Sequence, residues 1–228
     1  MRSARQVLLV GVALSLLLIL YGVWITPGAR SLTAENIARM APAFAILGIY
    51  ALVAISAPEG MNRRSSIILS NGLRFGCLAG VIFAGEILLE YVLLPRDNTS
   101  MGLIEFGLVF LLFLVCGLWT GVSTRRFSIA VLAAVWSALF ASLIWFISVM
   151  AVYYAFHGSS QQVQVFQAEG NYLDFQRSGM LNFDLFILQD FFGACFFHLL
   201  LDPLAAFLFG SVGAGVALAL GRLKLTGS

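Results

Sequence analysis

Six ionisable side chains stand in stretches where an otherwise apolar chain has no need of charge: Glu86, Glu90, Glu105, Asp190, His198 and Asp202. Glu86 and Glu90 are separated by four residues in Gly-Glu-Ile-Leu-Leu-Glu, and His198 and Asp202 repeat that spacing. On a helix, i and i+4 share a face. An ionisable group at the centre of a bilayer costs about 3 kcal/mol on insertion scales, so each is a candidate functional residue. Carboxylates with one imidazole suit a divalent metal, and carboxylates in series suit a proton relay. The plainer account keeps Glu90, Glu105 and Asp202 near enough to the surface to meet water. Asp190 then faces the interface, and Glu86 alone needs a buried partner.

Other chemistry is less well supplied. His198 could serve as an axial haem or pigment ligand, but the chain has only two histidines. A bis-histidine site would need His157 to fold inward, and no cofactor is evident. Cys77, Cys116 and Cys195 lie in apolar segments and form no CxxC pair, which suits small buried side chains better than zinc or redox work. Intramembrane glutamate–histidine proteases need adjacent glutamates and a second membrane histidine, neither of which is present. Gly210-Ser211 lacks the third position of a serine-nucleophile motif. There is no phosphate loop, HExxH or dinucleotide fingerprint. The residues specify no particular metal.

The elements that must position these groups follow from composition. The 228 residues are 61% hydrophobic and 11% charged, against about 25% charged in a soluble domain. The net charge is +2 with arginines scattered in short loops, which excludes a nucleic-acid partner. Six apolar runs, near 7–25, 40–57, 75–94, 102–122, 127–156 and 203–220, are long enough to cross a hydrocarbon core of roughly 30 Å. The expected fold is therefore an all-α integral membrane protein, a six-transmembrane-helix bundle in a single domain. Pro27-Gly28, Pro58 and Pro95-Arg96-Asp97 mark the ends of the first three runs. Trp145, Tyr153 and Tyr154 are expected where the fifth leaves the bilayer.

Basic residues orient the bundle. Arg2, Arg5, Arg63, Arg64, Arg74, Arg125, Arg126, Arg222 and Lys224 fall on one side, and Arg30, Arg39, Arg96 and Arg177 on the other. The positive-inside rule makes the first side cytoplasmic, with both termini there and residues 157–202 outside. The six candidate residues then all occupy the outer half. A short helix is expected near 172–177. Residues 183–201, with their aromatic side chains, read as an outer interfacial helix, and Asp202-Pro203 as an N-cap and first-turn proline that start the last span.

Small residues set the packing. Gly76 and Gly80 with Gly85, and Gly210, Gly213 and Gly215, allow close helix approach in lipid. They serve either packing within the chain or a homo-oligomer or partner contact. The expected function is that of a structural or accessory subunit of a membrane complex in a bacterial inner membrane, in contact with lipid. The alternative is a small transporter or channel moving a cation or proton through an outward-facing acidic pocket.

Overall fold

The computed structural model describes residues 2–30, 34–56, 63–94 and 99–226, all helical or in short connections, with no strand among them. Helix α1 covers Arg2–Ile25, α2 Ala34–Ser56, α3 Arg63–Leu93, α4 Thr99–Thr124 and α5 Phe127–Ala155. Two short helices follow, α6 at Ser160–Ala168 and α7 at Asn171–Ser178, and then α8 at Phe183–Thr226. Six of these helices are long and apolar enough to cross a membrane: α1 to α5 and α8. The turns expected at Pro58 and Pro95-Arg96-Asp97 lie outside the described residues, as do the side chains of Arg2, Arg63, Arg222 and Lys224.

The chain winds around α5. In its most apolar stretch 72% of residues are buried inside the protein, against 28–39% in the other five long helices. A helix apolar on every side belongs in the middle of a bundle. Helix α5 supplies small residues on several faces, including Ala130, Ala134, Ser137, Ala138, Ala141 and Ser142, all fully buried. Helices α1, α3, α4 and α8 pack on it, while α2 packs on α1 and α8.

Two glycine seams bring the backbones together. Gly72, Gly76 and Gly80 line one face of α3 against α5. A methyl group at Gly76 would stand 2.5 Å from the Ser137 carbonyl oxygen, and one at Gly80 equally close to Ile144. The second seam joins α8 to α4 and α5. A methyl at Gly210 would collide with Ala134, and one at Gly213 with the Leu114 carbonyl. Gly85 and Gly215 take no part, since nothing lies within 4 Å of a Cβ at either. Two residues along a helix turn a side chain by about 200°, so Gly215 faces away from the seam that Gly213 fills.

Three boundaries differ from those expected. Helix α3 begins at Arg63 rather than near residue 75, so the stretch containing Arg64 and Arg74 is helical. Trp145 does not mark an exit from the bilayer; it is 9% exposed, inside the bundle. Most importantly, α8 has no break between 201 and 203. It continues as one helix of 44 residues with Pro203 inside it, roughly 66 Å long and far beyond the hydrocarbon thickness. Asp202 is therefore an interior helical residue, not an N-cap. The capping role belongs to Asn182, whose Oδ1 accepts from the Leu185 amide at 2.9 Å.

Helices α6 and α7 form a small cap on the end of the bundle where α5 stops and α8 starts. Ser159 caps α6 by accepting from the Gln162 amide at 3.1 Å, and the Gln162 side chain accepts from the Gly158 amide at 2.9 Å. This is a close variant of the Ser-x-x-Gln capping box. Helix α7 spans the stretch where a short helix is expected, between Gly170 and Gly179, both in the left-handed region at φ 80° and 69°. Tyr172 stacks on Phe183 at 4.6 Å, and Phe166 and Phe175 meet the same ring edge-on. Aromatic contact of this kind holds the cap to α8.

Candidate cation or proton site

Asp202 is the most deeply placed ionisable residue of the site. It is 0% exposed, and neither carboxylate oxygen receives a hydrogen bond. Its nearest ionisable neighbour is His198, one turn earlier on α8, with Nδ1 3.6 Å from Oδ1. That separation suits an ion pair but exceeds hydrogen-bonding distance, and Nδ1 likewise has no hydrogen-bond partner. A bare buried carboxylate is costly unless something positive comes near it.

His198 sits in an aromatic cage. The Trp145 ring stacks on it with centroids 3.8 Å apart, Phe106 lies nearly parallel at 5.7 Å, and Phe83 meets it edge-on at 6.0 Å. These three rings pack around the imidazole and fix its position beside Asp202.

Glu105 is the second deeply buried acid, at 7% exposure, with Oε1 lacking any hydrogen bond. It lies within electrostatic reach of Glu86, Glu90 and Asp202. Glu86 and Glu90 are half-buried on α3 and interact with each other. Glu90 lies within electrostatic reach of Glu169 at the end of α6, and Glu169 also senses Asp190 and Glu86. Asp190 is exposed on α8, towards its start. The carboxyls thus act on one another in an overlapping series, Glu169 with Asp190, Glu90 and Glu86, and Glu105 with Glu90, Glu86 and Asp202, the last of which faces His198.

The arrangement brings all six sequence candidates into one series, although not around one point. Among the described residues no three His, Cys, Asp or Glu side chains converge as metal ligands. Sequence reasoning passed over Glu169, Trp145 and Tyr50. Glu169 lies in a polar stretch where a charge is unremarkable, and Trp145 resembles any interfacial tryptophan. Tyr50 is buried at 2% exposure and donates its hydroxyl to the Leu199 carbonyl at 2.7 Å. No local signal marks it, because its partner lies 149 residues away.

Burial and the neighbouring Glu90 carboxyl push Glu169 up to about 8. The residue presents an exposed surface, so solvent weakens the burial contribution, and the charge of the neighbouring Glu90 carboxyl is the sturdier cause. Two carboxyls in contact hold one proton between them in preference to two negative charges.

Two apolar grooves lie away from the acids. An apolar groove of about 280 Å³ opens between α2, α3 and α5, lined by Val53, Ile68, Leu132 and Trp136 among others. A second, of about 230 Å³, runs along α4 by Trp119. Neither groove is lined by the acids. The chain matches no family model, no curated protein and no solved structure, and its site must be read from its own chemistry.

Proposed function

We propose that this protein is a small cation- or proton-handling membrane protein, which takes up its ion at the α6–α7 end and delivers it to Asp202. The observation that carries this reading is Asp202 itself, a fully buried carboxylate without a hydrogen bond at the inner end of a carboxyl series. Structural acids in membrane helices are ordinarily paired or hydrogen-bonded. An acid whose one partner is His198 at 3.6 Å, and which lies within electrostatic reach of Glu105, suits transient occupancy by a positive charge. Trp145 and the rest of the aromatic cage support the same reading, since they hold His198 beside Asp202.

The basic-residue bias supports an orientation with both termini cytoplasmic and the cap outside, in the inner membrane. The length of α8 supports a first segment that stands at the outer interface while the remainder crosses. The ion would then be taken up from outside. The accessory-subunit reading draws less support: the faces carrying Gly76, Gly80, Gly210 and Gly213 are used within the chain.

The test is charge movement in proteoliposomes under an imposed ion or pH gradient. Wild-type protein should carry a current that Glu105→Gln reduces by at least tenfold. Equal currents from wild type and variant, or none above empty vesicles from folded wild-type protein, would sink the reading.

A further inference from the structure

Helices α3 and α5 run parallel and in one register: Gly72, Gly76 and Gly80 stand against Trp136, Phe140 and Ile144 in turn. Two turns before Gly72, Arg64 is therefore level with the first turn of α5, which Arg126 opens as its N-cap residue. Both arginines are exposed, and neither makes an ion pair among the described residues. From Arg64 to Gly85 and from Phe106 to Ala155 the chain carries four arginines and no acid. The apolar groove of about 280 Å³ between α2, α3 and α5 starts at this same end of the bundle. Ser56, the last residue of α2, and Ser65, in the first turn of α3, stand at its mouth. Val53, Ile68, Leu132 and Trp136 line it beyond the serines. Ile68 follows Arg64 by one turn on the same flank of α3. Leu132 is 47% exposed, so the groove opens on the side of the bundle that meets lipid.

We propose that this groove binds one anionic phospholipid, with an acyl chain along Val53, Ile68, Leu132 and Trp136 and the phosphate at Arg64 and Arg126. A helix with its side chains is about 10–12 Å across and does not fit a space of this size, whereas a single hydrocarbon chain does. The chain buries the apolar walls, and the serine hydroxyls at the mouth can donate to the ester or phosphate oxygens. Charge selects the headgroup. Guanidinium groups are suited to phosphate by their fixed fork of donors, and no described acid in these stretches competes for them. A choline or ethanolamine headgroup would bring its own cation to the same arginines. A headgroup with a net negative charge brings none.

The experiment is native mass spectrometry of the purified full chain, released from detergent micelles that hold equal amounts of phosphatidylglycerol and phosphatidylcholine with the same acyl chains. Wild-type protein should retain one phosphatidylglycerol in clear preference to phosphatidylcholine. Arg64→Gln and Arg126→Gln should each lower that preference about fivefold, the worth of one basic residue beside an anionic headgroup. Leu132→Trp, which fills the groove, should remove the retained lipid. Leu103→Trp, on an exposed flank of α4, should leave it in place. Equal retention of the two lipids by wild-type protein overturns the proposal without requiring any variant to fold. A preference that survives both arginine substitutions in folded protein overturns the headgroup assignment. Retention unchanged by Leu132→Trp overturns the groove.

Discussion

Tyr50 on α2 donates its hydroxyl to the Leu199 carbonyl on α8 at 2.7 Å, in the turn where Pro203 supplies no amide. A proline inside a transmembrane helix is tolerated when a neighbour satisfies the carbonyl it frees. Tyr50→Phe should leave that buried acceptor unsatisfied and cost about 1–3 kcal/mol. Pro203→Ala restores the helical partner, so the Tyr50→Phe penalty should shrink in that background. Unfolding of the four proteins in a denaturing detergent measures the cycle. Additive penalties would show that the two residues act independently.

The glycine seams make a second prediction. Gly76→Leu and Gly213→Leu put a side chain into backbone already in contact, and overpacking of this kind costs about 1–3 kcal/mol or more. Gly215→Leu meets open space and should be nearly neutral. Thermal unfolding of the three variants should separate them in that order. Equal losses at 213 and 215 would contradict the packing of α8 on α4.

The cap should respond to pH. Glu169 is raised from 4.5 to about 8, so the docked state binds more protons than the undocked one between those values. Docking is then firmest below about 4.5, weakens as pH rises towards 8, and changes no further above that. Among the described residues, the charges that act on Glu169 are acids: Glu90 and Glu86 on α3 and Asp190 on α8. Hydrogen exchange in Ser160–Ala168, corrected for intrinsic rate, should accelerate across this window. Glu169→Gln, which cannot ionise, should flatten the profile. A wild-type profile already flat would remove the shared proton.

Much of the architecture was legible from residue order alone, because length and apolarity decide what can cross a bilayer. Six spanning helices needed nothing more. The continuity of α8 was hidden for a physical reason: Asp202-Pro203 has the chemistry of a helix start, and what cancels it is a tyrosine from α2. Helix α6 was legible in principle, since Ser159 and Gln162 carry capping-box spacing, but few of its residues are apolar enough to announce it. The candidate acids stood out singly because lipid makes any charge conspicuous. Their succession from Glu169 to Asp202 depends on which helices are neighbours. That neighbourhood is set by the small faces of α5 and the glycines of α3 and α8.

If Asp202 is the group that meets the ion, infrared difference spectroscopy on reconstituted protein should register it. Switching between Na⁺ and choline at constant pH, or stepping pH at constant salt, should produce a carboxyl band change that is present in wild type. That change should vanish in Asp202→Asn and persist in Asp190→Asn. A difference spectrum that is the same in wild type and Asp202→Asn would contradict the account.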